Sequence, residues 1–179
     1  DAQREEIKEL QRQVEVKKAE TYTKAAKRAQ SLWDRAEPCE RHPYLEKKGV
    51  LSYGGLRVND QGILMLPMYD AQMTIVGIQF ISPDGSKKFL TGSKKTGSFF
   101  ILGQEILKTS QVINFAEGYA TAASYHQDFS QPVIVAFDAY NLTPVAEVVF
   151  DFLKDRKFIF IADNDPDSNT GEKEEVKAC

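Results

Sequence analysis

The chain has 179 residues, long enough to bury a core, and an ordinary globular balance of 42% hydrophobic and 27% charged residues. No apolar run approaches the roughly 20 residues of a membrane-spanning helix, and no signal peptide is visible. Two cysteines, Cys39 and Cys179, make no disulfide framework, so the expected compartment is a reducing cytoplasm.

The net charge of −3 hides an asymmetry. Residues 1–110 carry 18 Lys and Arg against 14 Asp and Glu, whereas residues 111–179 carry 5 against 12. A basic front and an acidic back suit nucleic acid held on one part and metal on the other. Ordinary solvated faces would give the same numbers. With Asp1 in place of Met and Cys179 inside a helical pattern, the chain reads as a piece of a longer protein.

Residues 1–37 form the first predicted element, a helix. Ile7, Leu10, Val14, Tyr22, Ala25, Ala29, Leu32 and Ala36 fall near one stripe, and no Gly or Pro interrupts it. It reads as a linker helix or one packed on the core. Residues 37–43 are a break. Cys39 and His42 have a zinc-like spacing, but no second pair follows, so they read as a loop cysteine and a capping or packing histidine. Residues 44–50 form a short helix closed by Gly49. Runs at 55–58, 62–69 and 73–81, joined by the turns 59–62 and 83–85, read as an antiparallel meander. Residues 87–97 then form a basic, Gly-punctuated loop. Lys87, Lys88, Lys94 and Lys95 in it are candidates to grip a nucleic-acid backbone or a triphosphate. A solvated hairpin tip is the bland alternative.

From Gln111 the pattern becomes strand–helix alternation. Strand 112–116 ends at Glu117-Gly118, strand 132–137 ends at Asp138, and strand 158–162 ends at Asp163-Asn164-Asp165. A helix is predicted to start at Thr143-Pro144, as cap and first-turn proline. The short apolar runs predict buried, parallel strands. Ligands in open α/β sheets bind at the carboxyl ends of strands, so the acidic clusters fall where a site is expected. Gly118 would let the chain turn sharply and let substrate approach closely. Glu117, Asp163 and Asp165 together predict a site for Mg²⁺ or Mn²⁺. Asp138, with Asn141 behind it, could contact metal, nucleotide or the next helix, since strand-end acids also serve as caps. An EF-hand reading of Asp163, Asp165 and Asp167 fails, because Ser168 stands where the loop needs Gly. Asp167 reads as a turn residue, and His126 as a packing or exposed helix residue.

These residues resemble the Toprim domain of DnaG-type primases. The segments 115–122, 135–142 and 42–50 are similar to primases of phages and conjugative plasmids, and 67–92 looks like the small subdomain in front of Toprim in those enzymes. The resemblance implies an α/β fold: a Toprim-type, Rossmann-like, mainly parallel sheet over 111–179, a small α+β subdomain over 38–110 and a helical linker over 1–37. It also implies roles. Glu117 would be the catalytic glutamate and Asp163 with Asp165 the metal-binding pair. Lys87, Lys88, Lys94, Lys95 and Arg57 would contact template or triphosphate. The activity would be primer synthesis on single-stranded DNA from NTPs, with a replicative helicase as partner and no membrane association. One departure stands out. Primases carry an acid four residues after the glutamate, and here that residue is Thr121. A later acidic pair of the family would fall past Cys179. Two other readings compete: a Toprim nuclease using the same metals, and a non-catalytic nucleic-acid or replisome module in which the acids only cap.

Overall fold

An uninterrupted helix-forming sequence gives α1 (Ala2–Arg35) in the computed structural model, which describes residues 2–162. Its stripe behaves in two ways. Ala25, Ala29, Trp33 and the adjoining Ala36 are buried, while Ile7, Leu10 and Val14 are all more than half exposed. Only the C-terminal part of the helix meets a sheet. Small alanines at four-residue spacing let the helix approach closely, and Trp33 fills the end of the contact with Met65, Ile75 and Ile78. Arg57 fastens that end: its guanidinium donates to Trp33 O at 2.7 Å and lies 4.8 Å from the Trp33 ring centroid. A cation at the last carbonyls of a helix satisfies orphan acceptors and complements the dipole.

After β1 (Glu37–Pro38), the short helix α2 (Pro43–Lys48) is closed at both ends. Tyr44 N–H donates to His42 Nδ1 at 3.2 Å, and Nε2 lies 2.9 Å from Gly62 O. Since Nδ1 accepts, Nε2 carries the proton and donates. Gly49 closes the helix in the left-handed region at φ 67°. The sequence expectations of a capping histidine and a closing glycine both hold. Strands β2 (Arg57–Val58), β3 (Leu64–Tyr69), β4 (Ile75–Ile81) and β5 (Lys87–Phe89) complete an antiparallel sheet in the order β1-β2-β3-β4-β5. Residues 87–89, read from sequence as loop, pair with β4 instead. The sheet is covered on both faces: Met65, Ile75 and Ile78 turn toward α1, while Leu64, Leu66, Met68, Val76 and Ile81 turn the other way.

The remaining described strands make the second sheet, β6-β8-β7-β9. It comprises β6 (Phe100–Leu102), β7 (Val112–Ala116), β8 (Val133–Val135) and β9 (Lys157–Ile161), with helices α3 (Gln104–Leu107), α4 (Tyr119–Phe129) and α5 (Leu142–Phe150) between them. β7 runs parallel to β8 and to β9, and β6 runs antiparallel to β8. The described sheet is therefore mixed, with two parallel ladders and one antiparallel. The crossover helices α4 and α5 make the parallel pairs, whereas no crossover fixes the direction of β6. Helix α5 starts earlier than Thr143. Asp138 Oδ1 accepts from Asn141 N–H at 3.0 Å, which sets up a 3₁₀ turn at Ala139–Asn141 that runs directly into Leu142.

The two sheets share one core, because Tyr119, Ala122 and Val135 cluster with Leu64, Leu66 and Met68. Tyr119 is the pin. Tyr53 N–H donates to its hydroxyl at 2.7 Å, and that hydroxyl donates to Leu51 O at 3.1 Å. Burial pushes the hydroxyl's pKa up. No described helix is long and apolar enough to cross a membrane.

Candidate active-site edge

Register decides where the acids go. Ala116 at the end of β7 is the Cα partner of both Val135 in β8 and Ile161 in β9. Ala136 N–H donates to Ala116 O at 2.9 Å. Three parallel strands thus release the chain at one edge of the sheet. Glu117 follows β7 there, half-buried, Asp138 follows β8 by three residues, and Ala162 follows β9. Asp163 and Asp165, like Asp167 and Ser168, lie outside the described residues. Among the described residues no three His, Cys, Asp or Glu side chains converge as a metal site.

Gly118 behaves differently from the expected sharp turn. Its φ of −119° and ψ of 157° are extended backbone open to any residue, and it serves as the N-cap of α4. A Cβ at Gly118 would lie 3.7 Å from Lys87 Nζ, an ordinary contact distance. Lys87 reaches this point from β5 in the other sheet, passing the Tyr44 ring at 5.9 Å. Thr121 sits half-buried one turn into α4.

A second cation arrives beside β8. Lys95 donates to Asp138 Oδ2 and lies 5.1 Å from the Phe89 ring centroid. Phe89 meets Phe137 edge-on at 6.2 Å, and Phe137 holds a left-handed φ of 72° while 6% exposed. A bulky residue in that region is strained, and such strain persists only where packing over-determines it. Asn141, 3% exposed, completes the arrangement. Its Oδ1 accepts from Gly97 N–H at 2.8 Å, and its Nδ2 donates to Ser98 O at 3.0 Å and Ala136 O at 2.7 Å. Asp138 and Asn141 therefore clamp the loop that carries Lys95 to the end of β8. Of the roles the sequence allowed Asp138, the structure shows the cap, with its second oxygen on Lys95. The clamp was missed at the sequence level, and Asp-x-x-Asn after a strand was the available signal.

The candidate cations split. Lys87 and Lys95 reach the acidic edge. Lys88 and Arg57 belong to the opposite face of the antiparallel sheet, with Arg57 engaged on α1. Lys94 is exposed. His126 packs edge-on against Tyr53 at 4.7 Å, and its Nδ1 lies 2.6 Å from Gln131 O.

No family model matches this chain. Over 147 residues, 81% of its length, the chain is 33% identical to DNA primase TraC of Escherichia coli. It is 32% identical over 157 residues, 87% of its length, to a second TraC primase from Escherichia coli. The chain is a homologue of the TraC primases. It spans only 14% and 11% of those two relatives. Among solved structures, it resembles the DnaG primase catalytic domain bound to ssDNA with a TM-score of 0.56 at 13% identity, covering 89% of this chain and 66% of that one. It resembles the primase fragment of the bacteriophage T7 primase-helicase protein with a TM-score of 0.52 at 18% identity, covering 75% and 54%. These likenesses establish a primase-domain fold. Within it, the edge holding Glu117 in this TraC homologue is built by Ala116, Val135 and Ile161 in register.

Proposed function

We propose that this chain provides the nucleotidyl-transfer site of a DNA primase that makes short RNA primers on single-stranded DNA. The observation that carries the reading is the shared register of Ala116, Val135 and Ile161, which aligns Glu117 with the strand end preceding Asp163. Homology to TraC supports the same reading. The donors in question, Glu117, Asp163 and Asp165, are all carboxylates. Such a set suits hard divalent cations, Mg²⁺ or Mn²⁺, which use one or two carboxylates together with substrate phosphates.

When bound, the cations supply charge neutralisation at the reacting phosphate and a lowered pKa for the attacking hydroxyl. The chain's residues do the rest. Asp163 and Asp165 would hold the cations. Glu117 would bind them or take the proton of the primer 3′-hydroxyl. The new bond joins that oxygen to the α-phosphorus of an NTP, and the bond to pyrophosphate breaks. Lys87 contacts triphosphate oxygens at the edge, and Lys94 and Lys95 contact triphosphate or template backbone. The implied partners are single-stranded DNA, NTPs and a replicative helicase.

The test is a primer-synthesis assay on single-stranded DNA, run with the full-length protein. Asp165→Ala and Glu117→Gln should each lower incorporation by about 100-fold or more, a loss typical for groups that stabilise transition-state charge, with an unchanged far-UV spectrum. A folded Asp165→Ala protein that still makes primers refutes the assignment. Degradation of the template without RNA synthesis would point to the nuclease reading.

A further inference from the structure

The pleat of the antiparallel sheet separates adjacent lysines. Lys87 is the Cα partner of Ile81 and Lys88 of Phe80. Ile81 belongs to the core shared with the second sheet, whereas Phe80 packs with the cluster beneath α1. The register continues across the strands: Phe80 partners Met65, and Met65 partners Arg57. Arg57, Met65, Phe80 and Lys88 therefore form one cross-strand row on the face that carries α1. At the edge of α1 this face opens into a groove of about 770 Å³. Met65, Phe80 and Leu90 contribute its apolar part, and Arg28, Arg35 and Lys88 bring three cations to it, against Asp60 as the one acid among its lining residues. Arg28, Arg35 and Lys88 are exposed, and Phe80 is half-buried.

We infer that this groove is a second nucleic-acid site, one that holds single-stranded DNA or RNA on the face of the sheet opposite the acidic edge. The choice of nucleic acid as occupant rests on the primase reading, but the groove's own chemistry points the same way. Its volume falls within the range of pockets that enclose one small organic group. An aromatic ring at an apolar surface, flanked by cations, is the arrangement that stacks a base and neutralises its phosphates. Guanidinium groups suit phosphate because their fork matches two oxygens at once. Only an unpaired base has a free π-face to offer Phe80, which selects single strands over duplex. Solvated surface charge alone does not require an apolar concavity between the cations. The groove's wall is held by Arg57, whose bonds to the end of α1 fix the helix over the sheet. The site would grip a stretch of strand away from the point of synthesis.

Photocrosslinking with a 5-iodouracil-substituted single-stranded oligonucleotide, followed by peptide mapping, tests this in the full-length protein. Crosslinking is expected at Phe80. It should fall about tenfold in the Arg28→Gln/Lys88→Gln double variant, whose substitutions are at exposed positions and leave the core untouched. No crosslink at Phe80, or an undiminished one in the double variant, overturns the proposal. The Asp165→Ala protein should keep the Phe80 crosslink while losing primer synthesis, so failure of the groove and failure of the primase reading give different results.

Discussion

Lys95 and Asp138, 43 positions apart in sequence, form an ion pair that joins the loop after the antiparallel sheet to the end of β8. The same carboxylate caps the turn before α5 through Asn141 N–H. One side chain therefore fixes both a loop and a helix start beside the candidate site.

Asp138→Ala removes the cap and the pair together. A lost N-cap costs about 1 kcal/mol, and a partly exposed ion pair adds less than about 1 kcal/mol because solvent screens it. Asp138→Asn keeps a side-chain oxygen for the cap and loses only the pair, so it should cost clearly less. Urea midpoints of the two variants check this. Equal losses would show that the cap is not the larger contribution.

Gly118→Ala separates backbone need from substrate access. The extended backbone at Gly118 accepts alanine, and the nearest atom to the new methyl, Lys87 Nζ, lies at ordinary contact distance. Stability should change by no more than about 0.5 kcal/mol. Primer synthesis should nonetheless fall, by about tenfold if the methyl displaces a reacting group by an ångström or less. Thermal melting and the primer assay read the two effects separately, and full activity in the variant would show that nothing approaches closely at that position.

Alkaline pH should destabilise the fold through Tyr119. Burial raises the folded-state pKa of its hydroxyl above the unfolded value near 10. A group with a raised folded pKa contributes stability that is intact below the unfolded pKa and is lost as pH climbs toward the folded one. The decline should therefore begin above about pH 10. Tyr119→Phe should flatten part of that decline, with the rest coming from groups such as Tyr69, whose pKa burial also raises. At neutral pH the same variant leaves Tyr53 N–H without its acceptor and should cost about 1–3 kcal/mol. Denaturation midpoints at pH 7 and pH 10.5 in both proteins provide the check, and parallel declines would remove Tyr119 from the explanation.

Much of the fold was legible because local chemistry decided it. His42 and Gly49 cap α2, and the runs at 112–116 and 158–162 became the parallel strands β7 and β9. Where local signals were read too literally, neighbours overruled them. Thr143-Pro144 looked like a helix start, but Asp138 began the turn one step earlier. Gly118 looked like a sharp bend, but a strand-to-helix junction needed only extended backbone there.

In the sequence by itself, the apolar runs of β7 and β9 and their polar stops were legible because they are local properties of the chain, whereas β8 stops at Val135, short of the expected end at Phe137. Which of those groups share a space was decided only by tertiary structure. Register brought the ends of β7, β8 and β9 to one edge, and the pairing of β5 with β4 turned Lys87 toward that edge and Lys88 away from it. Successive residues of a strand point to opposite faces, so a run of lysines that reads as one basic cluster is divided between the two faces of the sheet once residues 87–89 are a strand rather than a loop.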